Sequence, residues 1–351
     1  MMRMLVRGGV AALLLGIVSS GSASAQLQLN GAGATFPYPM YSKWFNQYIQ
    51  VDPDVRFNYQ SIGSGGGIKQ ITEQTVDFGA SDGPMTDEQL RAAPGRILHF
   101  PTVMGAVVIT YNAEGLKTGL KLTPEAIAGI FLGKITKWND PALAAANPGV
   151  TLPPRDIVVV HRSDGSGTSY IFTDFLSKVS REWSNKVGKG TSVSWPAGLG
   201  GKGNEGVTGL VKQTPFSLGY VELIYAQSNG LPFADVKNKS GSFVTPSLDS
   251  VTAAAAALAN TMPDDFRVSI TDAPGPGAYP ISGMTWLLVY EKQRDAAKGK
   301  KLVRFLEWMM HEGQKEAPAL HYAPLPAEVV AKEAVALRAV TGPDGTALAS
   351  R

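Results

Sequence analysis

The chain has 351 residues, no cysteine, and a formal net charge of +3 from 32 Lys and Arg against 29 Asp and Glu. The missing thiol excludes a disulfide framework, a Cys-ligated metal and a thiol nucleophile. The near balance of charge excludes the long-range field that draws proteins to nucleic acid or anionic membrane, so a site for an anion has to be local.

At the N-terminus, Arg3 and Arg7 precede or flank the apolar stretch 8–18, and Ala23-Ser24-Ala25 follows. The apolar run is too short to cross a bilayer, and the pattern predicts a secretory signal, residues 1–25, cleaved after Ala25. Its loss removes two positive charges and no acid. Export to a periplasm is expected, and no later stretch has the ~18 uninterrupted apolar residues of a membrane helix. A chain of this length exceeds what one core usually holds, so two domains are expected.

Gly31-Ala32-Gly33-Ala34-Thr35-Phe36-Pro37 leads into an aromatic stretch, 41–49, that reads as a helix. Residues 57–59 read as a strand, followed by Ser61-Ile62-Gly63-Ser64-Gly65-Gly66-Gly67 and helical residues 68–71. Residues 76–80 read as a strand ending in a turn with Asp82, which alone fits an Asx turn or a helix cap. A strand is expected at 107–111, and Thr123-Pro124-Glu125 is a helix start with Thr as N-cap. The apolar run 157–160 reads as a buried strand and 170–176 as a helix. Between them lies Arg162-Ser163-Asp164-Gly165-Ser166-Gly167-Thr168-Ser169.

The later chain says less. Residues 185–215 are Gly-rich, and Gly198-Leu199-Gly200-Gly201-Lys202-Gly203-Asn204 fails the P-loop pattern because Gly follows Lys202. It reads as a structural loop near the cleft, with Trp195 in a core. Residues 253–257 read as helix and 286–290 as strand. Leu302, Phe305, Leu306 and Met309 fall at helical spacing, as do Val329, Val330 and Leu337 in a last helix. Strands alternating with helices predict an α/β fold with ligand sites at strand C-terminal ends.

The loops at Thr35, Ser64 and Ser166 share one design. Each places small residues and a hydroxyl before a helix, where unpaired N–H groups and the positive dipole end point outward. Any single loop fits plain N-capping, worth ~1 kcal/mol. Three in one chain, one of them with an arginine, point to an anion site.

The segments GAGATFP, SIGSGGG, VDFGASD, GKITKW (133–138), RSDGSGTS and WPAGLGGKGN (195–204) occur in this order. Together they resemble the periplasmic phosphate-binding proteins of ABC-type phosphate importers, over nearly the whole chain after residue 25. The resemblance implies a two-lobed periplasmic-binding-protein fold (type II) with a hinge. Residues 26–103 with 281–351 would form one lobe and 104–280 the other. Inorganic phosphate would be the ligand, the importer's membrane permease and ATPase subunits the partners, with no cofactor and a monomeric chain.

By the same resemblance, the backbone and hydroxyl of Thr35 and the amide of Phe36 would bind phosphate, with Ala34 beside them. Ser64 would add its hydroxyl and amide, and Ser166, Gly167 and Thr168 would donate from the other lobe. Arg162 would give a charge-assisted contact, with Asp164 holding its guanidinium. Asp82 would accept a hydrogen bond from a proton on the phosphate. Gly65 stands where the family's run carries a second hydroxyl. Sulfate has no proton to offer Asp82, so an unpaired buried acceptor would discriminate against it.

Two other readings start from the same residues. One is a binding protein for another tetrahedral oxyanion, such as sulfate or molybdate, which Asp82 disfavours. The other is a serine hydrolase or phosphatase using Ser166, which needs a histidine within reach. Of His99, His161, His311 and His321, His161 is expected to pack at its strand end and the last two to lie at the surface. The histidines are scattered and no carboxylates cluster, so no metal site is expected.

Overall fold

A computed structural model of the chain describes residues 26–256 and 262–349. The stretch read as a signal sequence and Ala257 lie outside them.

The strands are β1 (Leu27–Gly33), β2 (Val55–Ser61), β3 (Phe78–Ser81), β4 (Ile97–Asn112), β5 (Lys121–Leu122), β6 (Val158–Arg162), β7 (Leu199–Gly201), β8 (Ser217–Glu222), β9 (Asp235–Lys237), β10 (Phe243–Val244) and β11 (Ser282–Tyr290). Eight of them form one sheet in the order β2-β1-β3-β11-β4-β8-β6-β7, and β10-β9-β5 form a small second one. The pairs β1–β2, β1–β3, β6–β8 and β6–β7 are parallel, each joined by helical crossovers, as α/β alternation requires.

β4 joins two wings. Up to Ala106 it pairs antiparallel with β11, and from Val107 on it pairs antiparallel with β8. Nearly all of its 16 residues are buried. Only 107–111 read as strand in the sequence, because Pro101 interrupts the first half. The structure accommodates that proline beside an irregularity in β11 between Met284 and Trp286, where a missing N–H does least harm. The result is a two-lobed α/β molecule, with β1, β2, β3 and β11 in one wing and β6, β7 and β8 in the other.

Other expected elements shift at their ends. β3 starts at Phe78, not residue 76. Asp77 leaves the strand to accept from the Asn30 N–H at 2.7 Å and to pair with Lys298. The first helix, Tyr38–Val51, buries Met40, Tyr41, Trp44, Phe45 and Tyr48, and Phe45 stacks on Phe57 at 4.5 Å. The helix Ala296–Met310 buries Leu302, Phe305, Leu306 and Met309, as their spacing requires, and Phe305 meets Phe57 at 4.6 Å. This aromatic wedge fixes the end of β1 from which the first candidate loop emerges. Thr123 caps its helix by accepting from Ala126 N–H, with Pro124 at the first position.

The last helix, Ala327–Leu337, departs from expectation. Val329 and Leu337 are buried, but Val330 is only half-buried. The position that completes the buried row is Glu333.

Candidate anion-binding site

β1 stops at Gly33, and Ala34 N–H donates to Ala80 O at 3.0 Å, tying the loop to the end of β3. The next three carbonyls are each held by a tyrosine hydroxyl. Tyr59 donates to Ala34 O at 2.8 Å, Tyr225 to Thr35 O at 2.6 Å, and Tyr322 to Phe36 O at 2.6 Å. With the carbonyls turned outward, the N–H groups of Thr35 and Phe36 have no protein acceptor among the described residues. Neither Thr35 nor Ser64 is a helix cap: Pro37 occupies the first cap position, and Gly63, at φ +89°, the second. Both hydroxyls are therefore released from capping.

The helix Ser64–Thr72 starts beside the turn after β3. Asp82 N–H donates to Ser64 Oγ at 3.1 Å, which leaves the Ser64 proton unspent. Across from them, the helix Gly167–Val179 begins so close that a β-carbon on Gly167 would collide with Ser64 Oγ and Asp82 Oδ2. Gly65 N–H also donates to Gly165 O at 2.9 Å. The two wings thus meet at their glycine-rich helix starts. Ser166 is the N-cap of the second helix and accepts from Ser169 N–H at 2.9 Å, while the first-turn amides of Gly167 and Thr168 remain as orphan donors.

Arg162 ends β6 and is 2% exposed. Its guanidinium makes a fork to Asp164, Nε to Oδ1 at 2.7 Å and NH2 to Oδ2 at 2.5 Å, and NH1 donates to Thr168 Oγ1 at 3.3 Å. Asp164 also accepts from Gly203 N–H at 3.1 Å. The bidentate geometry locks the arginine in place.

The two carboxylates sit in opposite electrostatic settings. Asp164 is pulled upward by burial, but the hydrogen bonds and charge of Arg162 and the Gly203 N–H outweigh that and hold it below the ordinary carboxylate range. Asp82 is 1% exposed and neither carboxylate oxygen has a hydrogen-bond partner. Burial pushes it from 3.8 to about 7, against the opposing pull of Thr285, Arg162 and Ser64 nearby. An orphaned acceptor deep in a ring of donors is neither an Asx turn nor a cap; the following helix, Asp87–Ala92, is capped by Thr86. Such an arrangement is suited to an anion that carries a proton.

All the residues expected at the site converge: Ala34, Thr35, Phe36, Ser64, Asp82, Arg162, Ser166, Gly167 and Thr168 are buried and linked by the contacts above. The amide of Ala34 is occupied, so that residue positions the loop. Asn204 went unrecognised in the Gly-rich stretch. Its side-chain amide bridges Thr35 Oγ1 at 2.7 Å and Thr168 Oγ1 at 3.0 Å. Nor did Tyr59, Tyr225 and Tyr322 stand out, since nothing local marks a tyrosine whose partner lies 25 to 286 residues away. His161 stacks on Trp195 with ring centroids 5.0 Å apart, and His311 and His321 are exposed. His99 accepts from Met85 N–H at 3.1 Å. Among the described residues no imidazole is hydrogen-bonded to Ser166.

Comparison with known proteins gives a consistent picture. Residues 18–312 match the family model of the PBP superfamily domain. The phosphate-binding protein PstS of Xylella fastidiosa (strain Temecula1) is 46% identical over 312 residues, covering 89% of this chain and 85% of its own. That of Pasteurella multocida is 46% identical over 324 residues, covering 92% and 93%. Among solved structures, a human phosphate-binding apolipoprotein superposes with a TM-score of 0.71 at 20% identity, over 92% of this chain and 99% of its own, a likeness of fold.

Proposed function

This chain belongs to the PBP superfamily and, within it, to the phosphate-binding proteins PstS, and from that membership we propose that it binds inorganic phosphate in the cleft between its wings and delivers it to an ABC importer. Ala34, Thr35, Phe36, Ser64, Asp82, Arg162, Ser166, Gly167 and Thr168 form the site, with Asp164 fixing the arginine. The protein works in the periplasm after loss of residues 1–25, as a monomer, with the importer's permease and ATPase subunits as partners. Among the described residues no helix is long and apolar enough to cross a membrane. It acts as a receptor, not as an enzyme: the Ser166 hydroxyl serves as a helix cap. Residues 26–103 with 281–351 form one lobe and 104–280 the other. The change of partner along β4 and the Val107 N–H to Ile281 O bond of 2.9 Å support crossings near those limits.

One observation carries the ligand's identity: the orphaned Asp82 carboxylate. Near neutral pH phosphate holds one or two protons and donates to Asp82, while its other oxygens accept from the amides, hydroxyls and Arg162. Above about pH 7, where Asp82 is ionised, sulfate has no proton to offer and would press bare oxygens against a carboxylate, with both an unmet acceptor and like-charge repulsion. Neutral donors contribute about 1 kcal/mol each and charged ones ~1.5–3, so many preorganised donors bind one small anion without a large net charge. Isothermal titration with the two anions at about pH 8.5, where Asp82 is ionised, tests this. Phosphate should bind at least about 100-fold more tightly than sulfate, and Asp82→Asn, which offers an N–H in place of the acceptor, should narrow the gap. Equal affinity of the wild-type protein for both anions would sink the proposal.

A further inference from the structure

Asn204 is fully buried near the start of the helix Gly203–Gln213. Its amide orientation is settled by Glu222, whose N–H donates to Asn204 Oδ1 at 3.0 Å. The NH2 end therefore faces Thr35 Oγ1 at 2.7 Å and Thr168 Oγ1 at 3.0 Å. An amide NH2 only donates, so both hydroxyls must accept from it. A hydroxyl has two lone pairs and one proton. On Thr168 the second lone pair takes Arg162 NH1 at 3.3 Å, and on Thr35 it takes the backbone N–H of Asn204 at 3.3 Å. Only the proton of each is left, and among the described residues no acceptor takes it.

We propose that Asn204 is a positioning residue that makes the hydroxyls of Thr35 and Thr168 donor-only, so that each presents its proton to an unprotonated oxygen of the anion. The inference rests on the phosphate reading of the site. It has a consequence for ligand orientation. Thr35 and Thr168 have no lone pair left to accept the ligand's proton and Asp82 has an unmet acceptor, so that proton is steered to Asp82. Asn204 also spans the wings, because Thr35 follows β1 and Thr168 follows β6. The polarity of Thr35 is imposed only when the wings are together, whereas Thr168, Arg162 and Asn204 belong to one wing.

The test is a double-mutant cycle read by isothermal titration with phosphate. Asn204→Ala and Asn204→Asp are each measured in the wild-type background and in Thr35→Val/Thr168→Val. Asn204→Ala should weaken wild-type binding about tenfold, because the hydroxyls regain the freedom to point away. Asn204→Asp should weaken it by on the order of 100-fold, since a carboxylate takes the two protons for itself. In the valine background the effect of Asn204→Ala should shrink to less than about twofold, and most of the excess for Asn204→Asp should vanish. Losing the Glu222 N–H partner or adding a charge would act alike in both backgrounds, so equal losses in the two would overturn the proposal. If the valine pair does not fold, as judged by its thermal transition, Thr168→Val alone should show the same coupling at smaller size, and its absence there would overturn the proposal equally. Wild-type protein that binds no phosphate would overturn the proposed function and this inference with it; normal wild-type binding without coupling overturns the inference alone.

Discussion

At the scale of single residues, Asp82, to which the proposed function assigns selectivity, also bears on stability. Burial moves its carboxyl from 3.8 to about 7. Below 3.8 the folded and unfolded forms are both protonated and the residue is neutral to stability. Between 3.8 and 7 the unfolded chain ionises while the folded one does not, so stability falls as pH rises, and above 7 the cost is complete at up to about 4 kcal/mol. Asp82→Asn in phosphate-stripped protein should therefore raise the thermal midpoint at pH 8 and progressively less toward pH 4. An increment independent of pH would show that burial of the charge is not the cause. In the proposed site this cost is offset on binding, since the orphaned acceptor is what a protonated anion needs. Asp164, two residues from the arginine it holds, is the opposite case: its partners are all inside the protein, and its role is geometry.

At the scale of elements, the helices expected at 41–49, 68–71, 170–176 and 302–309 formed there, and the shifts at their ends have physical reasons. The helix Ser64–Thr72 begins at the hydroxyl, because Gly63 supplies the left-handed cap. The helix Gly167–Val179 begins three residues before its apolar run. These starts matter more than the helix bodies, since the first-turn amides are the donors of the proposed site. The last helix shows how a pattern misleads. Its buried row is Val329, Glu333 and Leu337, and neither Glu333 oxygen has a partner. Burial pushes Glu333 well above 4.5, so its cost appears as pH rises past that value and is absent below it. Glu333→Leu should stabilise the protein at pH 7 by on the order of 1 kcal/mol or more, with less gain at pH 4, as read from denaturant midpoints. A destabilised variant at pH 7 would mean that Glu333 has a role other than filling that row.

At the scale of the whole molecule, binding is a matter of closure. Thr35 and Ser64 stand on one wing, Arg162, Ser166, Gly167 and Thr168 on the other, and the wings share the continuous strand β4. Gly65 N–H to Gly165 O, Tyr225 to Thr35 O and Asn204 to Thr35 Oγ1 are all bonds across the divide. In the proposed site phosphate makes its full set of contacts only with the wings together, so it is expected to shift the population toward the closed form. Small-angle scattering should show a smaller radius of gyration with phosphate than without, and Gly167→Ala, whose methyl would collide with Ser64 and Asp82, should abolish the compaction. An envelope unchanged by phosphate in the wild-type protein would count against a hinge.

The sequence by itself determined the α/β class and the glycine-rich helix starts, and through the resemblance it pointed to nine residues that the fold brings together. These are local matters, carried by spacing, by hydroxyls before helices and by motifs a few residues long. Only the tertiary structure decided which donors are free and which way they point. Tyr59, Tyr225 and Tyr322 turn three carbonyls of one loop outward, and Asn204 assigns the protons of two hydroxyls, from positions distant in the chain. Hydrogen-bond capacity is a property of the whole neighbourhood: a threonine becomes a pure donor only once its lone pairs are taken, and an aspartate becomes an orphan only once water has been shut out.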